Sequence, residues 1–215
     1  MKRPLNKREL DILEERGLWE ASSSLHRLIK RLIRKNLPVE IGFIKQAHQT
    51  VFTEAKQPEI AGKYRQDNDP ELKRVDGTVL PMTDWRQVPN EMAKLDVELR
   101  EATKNLRPPK TFEDYSRLVS IATRLSHRLA CIHPFKNGNG RSSRLLFNAI
   151  FLRAGLPEIS VKNSKLAYLR AMNQADYGDF SILEKIIVRG LLDVQKKNYS
   201  ILMRKRSELG KGRKK

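Results

Sequence analysis

Twelve residues, His133-Pro-Phe-Lys-Asn-Gly-Asn-Gly-Arg-Ser-Ser-Arg144, constrain the fold more than any other stretch. They separate two runs of helical periodicity. Before them, Tyr115, Leu118, Val119, Ala122, Leu125, Leu129 and Ala130 form an apolar stripe on a helix from Asp114 to Cys131. After them, Leu145, Leu146, Ala149, Ile150 and Leu152 form another, from Ser142 to Ala154. Pro134 disfavours helical backbone at His133, so the first helix ends there and leaves the imidazole at its exit. Gly138 and Gly140 are expected to take positive φ and bring main-chain N–H groups close to a ligand. The second helix adds free N–H groups and a positive dipole end at the same place. Arg141 stands at its start, and Arg144, three residues on, shares roughly that face. A nest of amides with two guanidinium forks suits a di- or triphosphate. His133 titrates near neutrality and can take a proton from an attacking hydroxyl. Phe135 is read as the loop's apolar anchor. The glycines do not follow G-x-G-x-x-G after a strand, and no Walker lysine pattern is present.

The rest of the chain also reads as helices. Residues 1–38 carry two basic ones. Leu10, Ile12, Leu13 and Leu18 make a partial stripe on the first, and Ser22 to Ser24 cap the second. In the second, Leu25, Leu28, Ile29, Leu32 and Ile33 alternate with Arg27, Lys30, Arg31, Arg34 and Lys35, so it docks with one basic face outward. Val39–Glu54 is the next helix, with His48 as a structural histidine. A turn, Ala61-Gly-Lys-Tyr-Arg65, follows. Leu72–Val75 and Thr78–Leu80 flank Asp76-Gly77, a strong hairpin signal. Pro89–Lys104 is helical. Thr111 and Asp114 form an approximate capping box for the helix that enters the loop. On it, His127 is structural and Cys131 a small buried residue. Asn163–Ala175 carries Leu166, Tyr168, Leu169 and Met172. Asp179 caps a last helix, Phe180–Leu202, and Met203–Lys215 is a disordered basic tail.

At 215 residues the chain is long enough for one well-buried domain with extensions. No apolar run approaches the roughly 18 residues of a membrane span. The basic N-terminus lacks the apolar segment of a secretory signal, so the location expected is cytoplasmic. By cysteine count, the single Cys131 excludes a disulfide framework or a zinc cluster within the chain. A net charge of +18 points to an anionic partner, such as nucleic acid on the basic ends, or to a lysine-rich solvated surface.

The stretch 133–144 resembles the active-site loop of the Fic family, H-x-F-x-(D/E)-G-N-G-R-x-x-R. His133, Phe135, Gly138, Asn139, Gly140, Arg141 and Arg144 match. The His48 helix, the Ala61–Arg65 segment and the hairpin extend the resemblance over residues 40 to 190. It implies an all-α fold, a Fic helical bundle with a small β-hairpin flap. The Fic domain would span 39–195, between the basic helical extension and a tail from 196 to 215. It also implies a protein adenylyltransferase that moves AMP from ATP to a Ser, Thr or Tyr hydroxyl of a target protein, with Mg2+ bound. His133 would be the general base. Asn139 and the glycine amides would hold the anion, and Arg141 and Arg144 the outer phosphates. Tyr168, Leu169 and Met172 would line the adenine pocket. The flap, Val75, Asp76, Gly77, Thr78 and Val79, would pair with the target's backbone.

One position departs from the family pattern. Asn137 stands where the family has the acidic residue that holds magnesium, and a neutral carbonyl is a poorer ligand for a hard cation. The resulting N-G-N-G-R is similar to a subgroup known as mobile mystery protein B. Doc kinases, with A-N-K-R there, are not matched. The family's inhibitory motif, (S/T)-x-x-x-E-(G/N), is absent, so an inhibitory glutamate would come from a separate antitoxin-like chain. Two alternatives stay open: transfer of another phosphate-linked group such as UMP, and a weakened Fic scaffold that binds nucleotide or nucleic acid.

Overall fold

Apolar residues three and four apart bury one face of each helix, and those faces meet in one core. The computed structural model describes residues 6–69, 73, 77–80, 82–161 and 165–212. Among them are seven α-helices: α1 Lys7–Lys35, α2 Gly42–Glu54, α3 Val88–Thr103, α4 Phe112–Ile132, α5 Asn139–Arg153, α6 Lys165–Asp176 and α7 Ser181–Gly212. A short 3₁₀ turn, Trp85–Gln87, leads into α3. The fold is predominantly helical, as the spacing implies. Of the expected hairpin, the described residues show one isolated antiparallel bridge, Lys73 to Val79, around Gly77. Val75 and Asp76 lie outside the described residues.

In the core α5 packs against α4, and also meets α1 and α2. Leu146, Ala149, Ile150 and Phe151 are fully buried, as are Ala122 and Leu129 of α4. Truncating Leu146, Ile150, Phe151 or Leu129 to alanine costs about 2–5 kcal/mol. Arg153, 4% exposed, ties the neighbouring chain ends to this pair. It donates to the Leu37 and Leu106 carbonyls at 3.0 Å each and to Asn36 Oδ1 at 3.2 Å.

Residues 7–35 form one helix rather than two. Asn6 is its cap, in a full capping box with Glu9. Ser22, read as a cap, instead donates from Oγ to both carboxylate oxygens of Glu158, at 3.0 and 3.1 Å. No proline or glycine pair interrupts the chain there, so nothing forces a break. The buried face is Gly17, Ala21, Leu25, Ile29 and Leu32, with the basic residues opposite. Gly17 sits against α2: a Cβ there would lie 2.7 Å from Val51 Cα. The tail also departs from expectation. The helix continues through Met203 to Gly212, because 203–209 contain neither proline nor glycine. No described helix is long and apolar enough to cross a membrane.

Candidate active site

The site is built where α4 stops and α5 begins. The capping box of Thr111 and Asp114 is complete, and α4 runs to Ile132. His133 caps it in the left-handed conformation, φ 51° and ψ 59°. That geometry costs a non-glycine residue about 1–2 kcal/mol. Arg65 holds it. Its Nε donates to the His133 carbonyl at 2.7 Å, its Nη2 to the Thr83 carbonyl, and its main-chain N–H to the Pro134 carbonyl at 2.9 Å. Arg65 is only 4% exposed, so the 61–65 turn acts as a clamp on the histidine corner.

The loop is then braced from inside. Phe135 is fully buried and stacks on the His48 ring, centroids 3.8 Å apart. His48 accepts from the Gly62 N–H at Nδ1, which leaves Nε2 protonated to donate to the Asn137 carbonyl at 3.0 Å. Asn139 is engaged with the same loop. Its Oδ1 accepts from Phe135 N at 2.9 Å, and its Nδ2 donates to the Phe135 carbonyl at 2.7 Å. The Asn139 side chain is therefore the loop's brace, and Asn139 offers a ligand its main-chain N–H.

Gly138 takes φ 79° and caps α5, which starts at Asn139. A Cβ at Gly138 would sit 2.7 Å from Phe52 Cε2. Gly140 is helical, contrary to expectation, because it already lies in the first turn of α5. The first intrahelical bond runs from Ser142 N to the Gly138 carbonyl. The N–H groups of Asn139, Gly140 and Arg141 thus have no partner in their own helix. Asn139, Gly140 and Arg141 line open space, with the positive end of the dipole toward it.

That space has two compartments. A cavity of about 390 Å³ is lined by His133, Asn139, Gly140, Tyr168, Leu169 and Met172, among others. A recess of about 310 Å³ is lined by His133, Asn137, Gly138, Gly140, Arg141 and Arg144, among others. His133, Asn139 and Gly140 belong to both. Lys73, Leu80 and Met82 bring the bridged segment to the cavity's edge. Val79, 51% exposed, and Gly77 with φ 86° lie on the same segment, with Thr78 between them.

Burial sets the protonation of the site. It pushes His133 down to about 4, aided by the Arg65 charge and opposed by a backbone hydrogen bond at Ala130. This lies below the near-neutral titration expected from the sequence, so the imidazole is neutral at pH 7 and a weaker base than a free histidine. Burial likewise pushes His48 down to about 4 and the Tyr168 phenol up.

Two features were not read from the sequence. Arg65 is expected only as the end of the Ala61–Arg65 segment, and nothing in the sequence marks its N–H donors as a clamp. Glu14 was not singled out at all, yet its carboxylate pairs with Arg141 Nη1, whose guanidinium also lies 5.1 Å from the Phe52 ring centroid. The signal was present: Glu14 sits four residues after Leu10 and three before buried Gly17, an acid on the packed face of α1.

A model of the Fic/DOC family matches residues 38–151, more than half of the chain. The chain belongs to the Fic/DOC family. The match takes in α2, α3, α4 and α5 as far as Phe151, and contains the whole loop. Among proteins similar to this Fic chain, protein adenylyltransferase Fic of Nematostella vectensis is 27% identical over 186 residues, 83% of this chain and 38% of the relative. Its namesake in Drosophila melanogaster is 34% identical over 92 residues, 42% of this chain and 18% of the relative. The chain thus spans well under half the length of these curated relatives. The structure of Fic-1 (residues 134–508) from C. elegans superposes with a TM-score of 0.71 at 21% identity, over 96% of this chain and 56% of that one. At that identity the likeness speaks for the fold, and it takes in α1, α6 and α7 as well.

Proposed function

We propose that this Fic chain moves AMP from ATP to a Ser, Thr or Tyr hydroxyl of a target protein. One observation carries the reading. A neutral, clamped His133 stands with the free amides of α5 where an apolar cavity joins an arginine-lined recess. The adenine would lie against Tyr168, Leu169 and Met172. The α-phosphate would rest on the Asn139 and Gly140 amides, with Arg141 and Arg144 on the outer phosphates. His133 takes the proton of the target hydroxyl, whose oxygen bonds to the α-phosphorus as the bond to pyrophosphate breaks. Donors fixed before the reaction supply most of the stabilisation. The Lys73–Val79 segment would present the target's backbone at the cavity edge.

Magnesium, which the family resemblance implies, fits the residues present poorly. The recess lining contains no carboxylate. Asn137 Oδ1 accepts from the Gly138 N–H at 2.7 Å, so its one good ligand atom is engaged within the loop. Any magnesium would be held by the phosphates that bring it. Asn137→Asp is expected to lower the magnesium concentration for half-maximal labelling by about 10-fold; an unchanged magnesium titration would show that the position holds no metal. The likeness of N-G-N-G-R to the mobile mystery protein B subgroup rests on these loop residues alone.

The Glu14–Arg141 pair offers a candidate inhibitory carboxylate within the chain, beside the separate antitoxin-like chain that remains a proposal. Both side chains are largely buried, at 16% and 21% exposure. We infer that Glu14 competes with the outer phosphates for Arg141. Glu14→Gln should tighten ATP binding about 5- to 30-fold, the equivalent of 1–2 kcal/mol. Calorimetry with wild type and variant reads this directly, and equal affinities would remove Glu14 from regulation. An inhibitory partner chain would then be sought by co-purification.

The donor test is a panel of α-labelled ATP, UTP, GTP and CTP with the purified protein and a lysate. Label from ATP supports adenylyl transfer; label from UTP alone would change the group transferred. Tight nucleotide binding with no label from any donor would favour the binding-module reading, for which Asn137 is the specific observation. A polyanion such as nucleic acid on the basic ends of the chain is a further partner proposal, read as retention on heparin that falls steeply with salt.

A further inference from the structure

We propose that the exposed face of α7 pairs antiparallel with the same face of a second copy of this chain. Val188, Leu192, Gln195, Tyr199 and Leu202 follow one another at intervals of four, three, four and three residues. That spacing keeps them on one narrow stripe, the kind of seam along which two helices pair. The core takes a different face of α7, where Leu183, Ile186, Ile187 and Leu191 are buried. The stripe lies outside that core. Gln195, polar in mid-seam, is the kind of residue that fixes the register of a helix pair.

The stripe has two unlike halves. Along the first, α7 runs beside the start of α4. Val188 and Leu192 form, with Phe112, Tyr115 and Val119, an apolar groove of about 760 Å³. Phe112 stands 81% exposed on its rim. An exposed apolar patch of this kind marks a contact surface. Along the second half the helix stands clear of the body. Residues 196–204 are all exposed, with Tyr199 and Leu202 at 65% each. The helix nevertheless continues to Gly212. A helix end without tertiary packing is marginal in water, and an apolar partner along its stripe supplies that packing. One half is thus a groove and the other a ridge. Antiparallel pairing about Gln195 lays the ridge of each copy in the groove of the other, a closed two-fold contact made of one surface used twice.

Charge selects the direction. The ridge half carries Lys196, Lys197, Arg204 and Arg206. A parallel pair would set these against their own counterparts, and like charges so placed are costly. The antiparallel pair sets them against the groove half. There Glu184 and Asp193 balance Lys185 and Arg189, and Glu113 follows Phe112 at the start of α4. His133 closes α4 at its other end, roughly 20 Å beyond Val119 at 1.5 Å per residue, so pairing leaves both candidate active sites open. The inference does not rest on the transferase reading.

The test is analytical ultracentrifugation of the full chain from low to high micromolar concentration. The expected result is a reversible dimer. Tyr199→Glu with Leu202→Glu should weaken it by about 30-fold or more, the loss of a contact worth some 2 kcal/mol or above. Both positions are exposed and outside the core, so the variant keeps its fold, which circular dichroism checks. Direction is read by cross-linking. The chain has one cysteine, so Cys131→Ser gives a background in which Val188→Cys and Leu202→Cys are the only thiols. With a short bismaleimide, the two proteins mixed should cross-link, and neither should cross-link to itself. A chain that stays monomeric at every concentration would overturn the proposal and leave the stripe to a different partner. A dimer untouched by the two glutamates would overturn it as well, and so would Leu202→Cys cross-linking to itself as readily as to Val188→Cys.

Discussion

His133→Ala is expected to lower the rate of transfer by about 10²–10⁴-fold while leaving ATP affinity near that of the unaltered protein. The imidazole sits at the junction of the two compartments, but the amides of α5 and the two arginines that would hold the phosphates belong to the next helix. Removing the base therefore removes proton transfer and spares binding. Calorimetry and label transfer on the same preparation separate the two, and a parallel loss of both would reduce His133 to a binding residue. The pH profile carries an independent signature. With His133 at about 4, the neutral base is fully present above pH 5–6 and is lost as pH falls through 4. The acid limb of the rate should lie near 4 and not near the ordinary histidine value. Stability moves in the same direction. His133 and His48 are both held below their unfolded value of 6.5. Between about 6.5 and 4 the unfolded chain takes up protons that the folded one refuses. The stability present above 6.5 is lost as pH falls toward 4, so circular dichroism must accompany the rate measurement.

Gly138→Ala is expected to cost about 2–5 kcal/mol of stability, from left-handed backbone and overpacking together. At φ 79° a side chain is strained whatever its size. The new Cβ would also stand 2.7 Å from Phe52, which is 1% exposed and has nowhere to move. In a chain of this length that corresponds to a melting temperature lower by about 5–15 °C. Gly140→Ala is the control. There the Cβ would meet only Arg144 Nη1 at 3.5 Å, so its melting temperature should stay within a degree or two. Thermal denaturation of the pair decides it: equal losses would mean that Gly138 is not the loop's special backbone position.

The legible part of this fold was local. The stripe on α4, its Thr111–Asp114 box and the stop at Pro134 are each written within a few residues. The structure has α4 running from Phe112 to Ile132 accordingly. His48 was read as structural, and its two hydrogen bonds and two ring contacts place it there. What stayed hidden depended on partners far away in sequence. Three serines looked like a cap because their actual partner for Ser22, Glu158, is 136 residues away. Both glycines of the loop looked alike; only the start of α5 at Asn139 distinguishes Gly138 from helical Gly140. Nothing in the order of residues shows the Asn139 side-chain amide turned onto Phe135, which leaves its main-chain N–H for an anion. Glu14 matches no inhibitory motif, and its pairing with Arg141 goes with Gly17, which lets α1 lie close on α2.

The central claim is that a hydroxyl attacks the α-phosphate of ATP with His133 as base. The most direct test compares α-labelled and γ-labelled ATP in one transfer assay on a lysate, with His133→Ala alongside. The account predicts protein-bound label from the α-position only, release of pyrophosphate, and loss of the label in the variant. Label from the γ-position, or α-label that survives in His133→Ala, would contradict it.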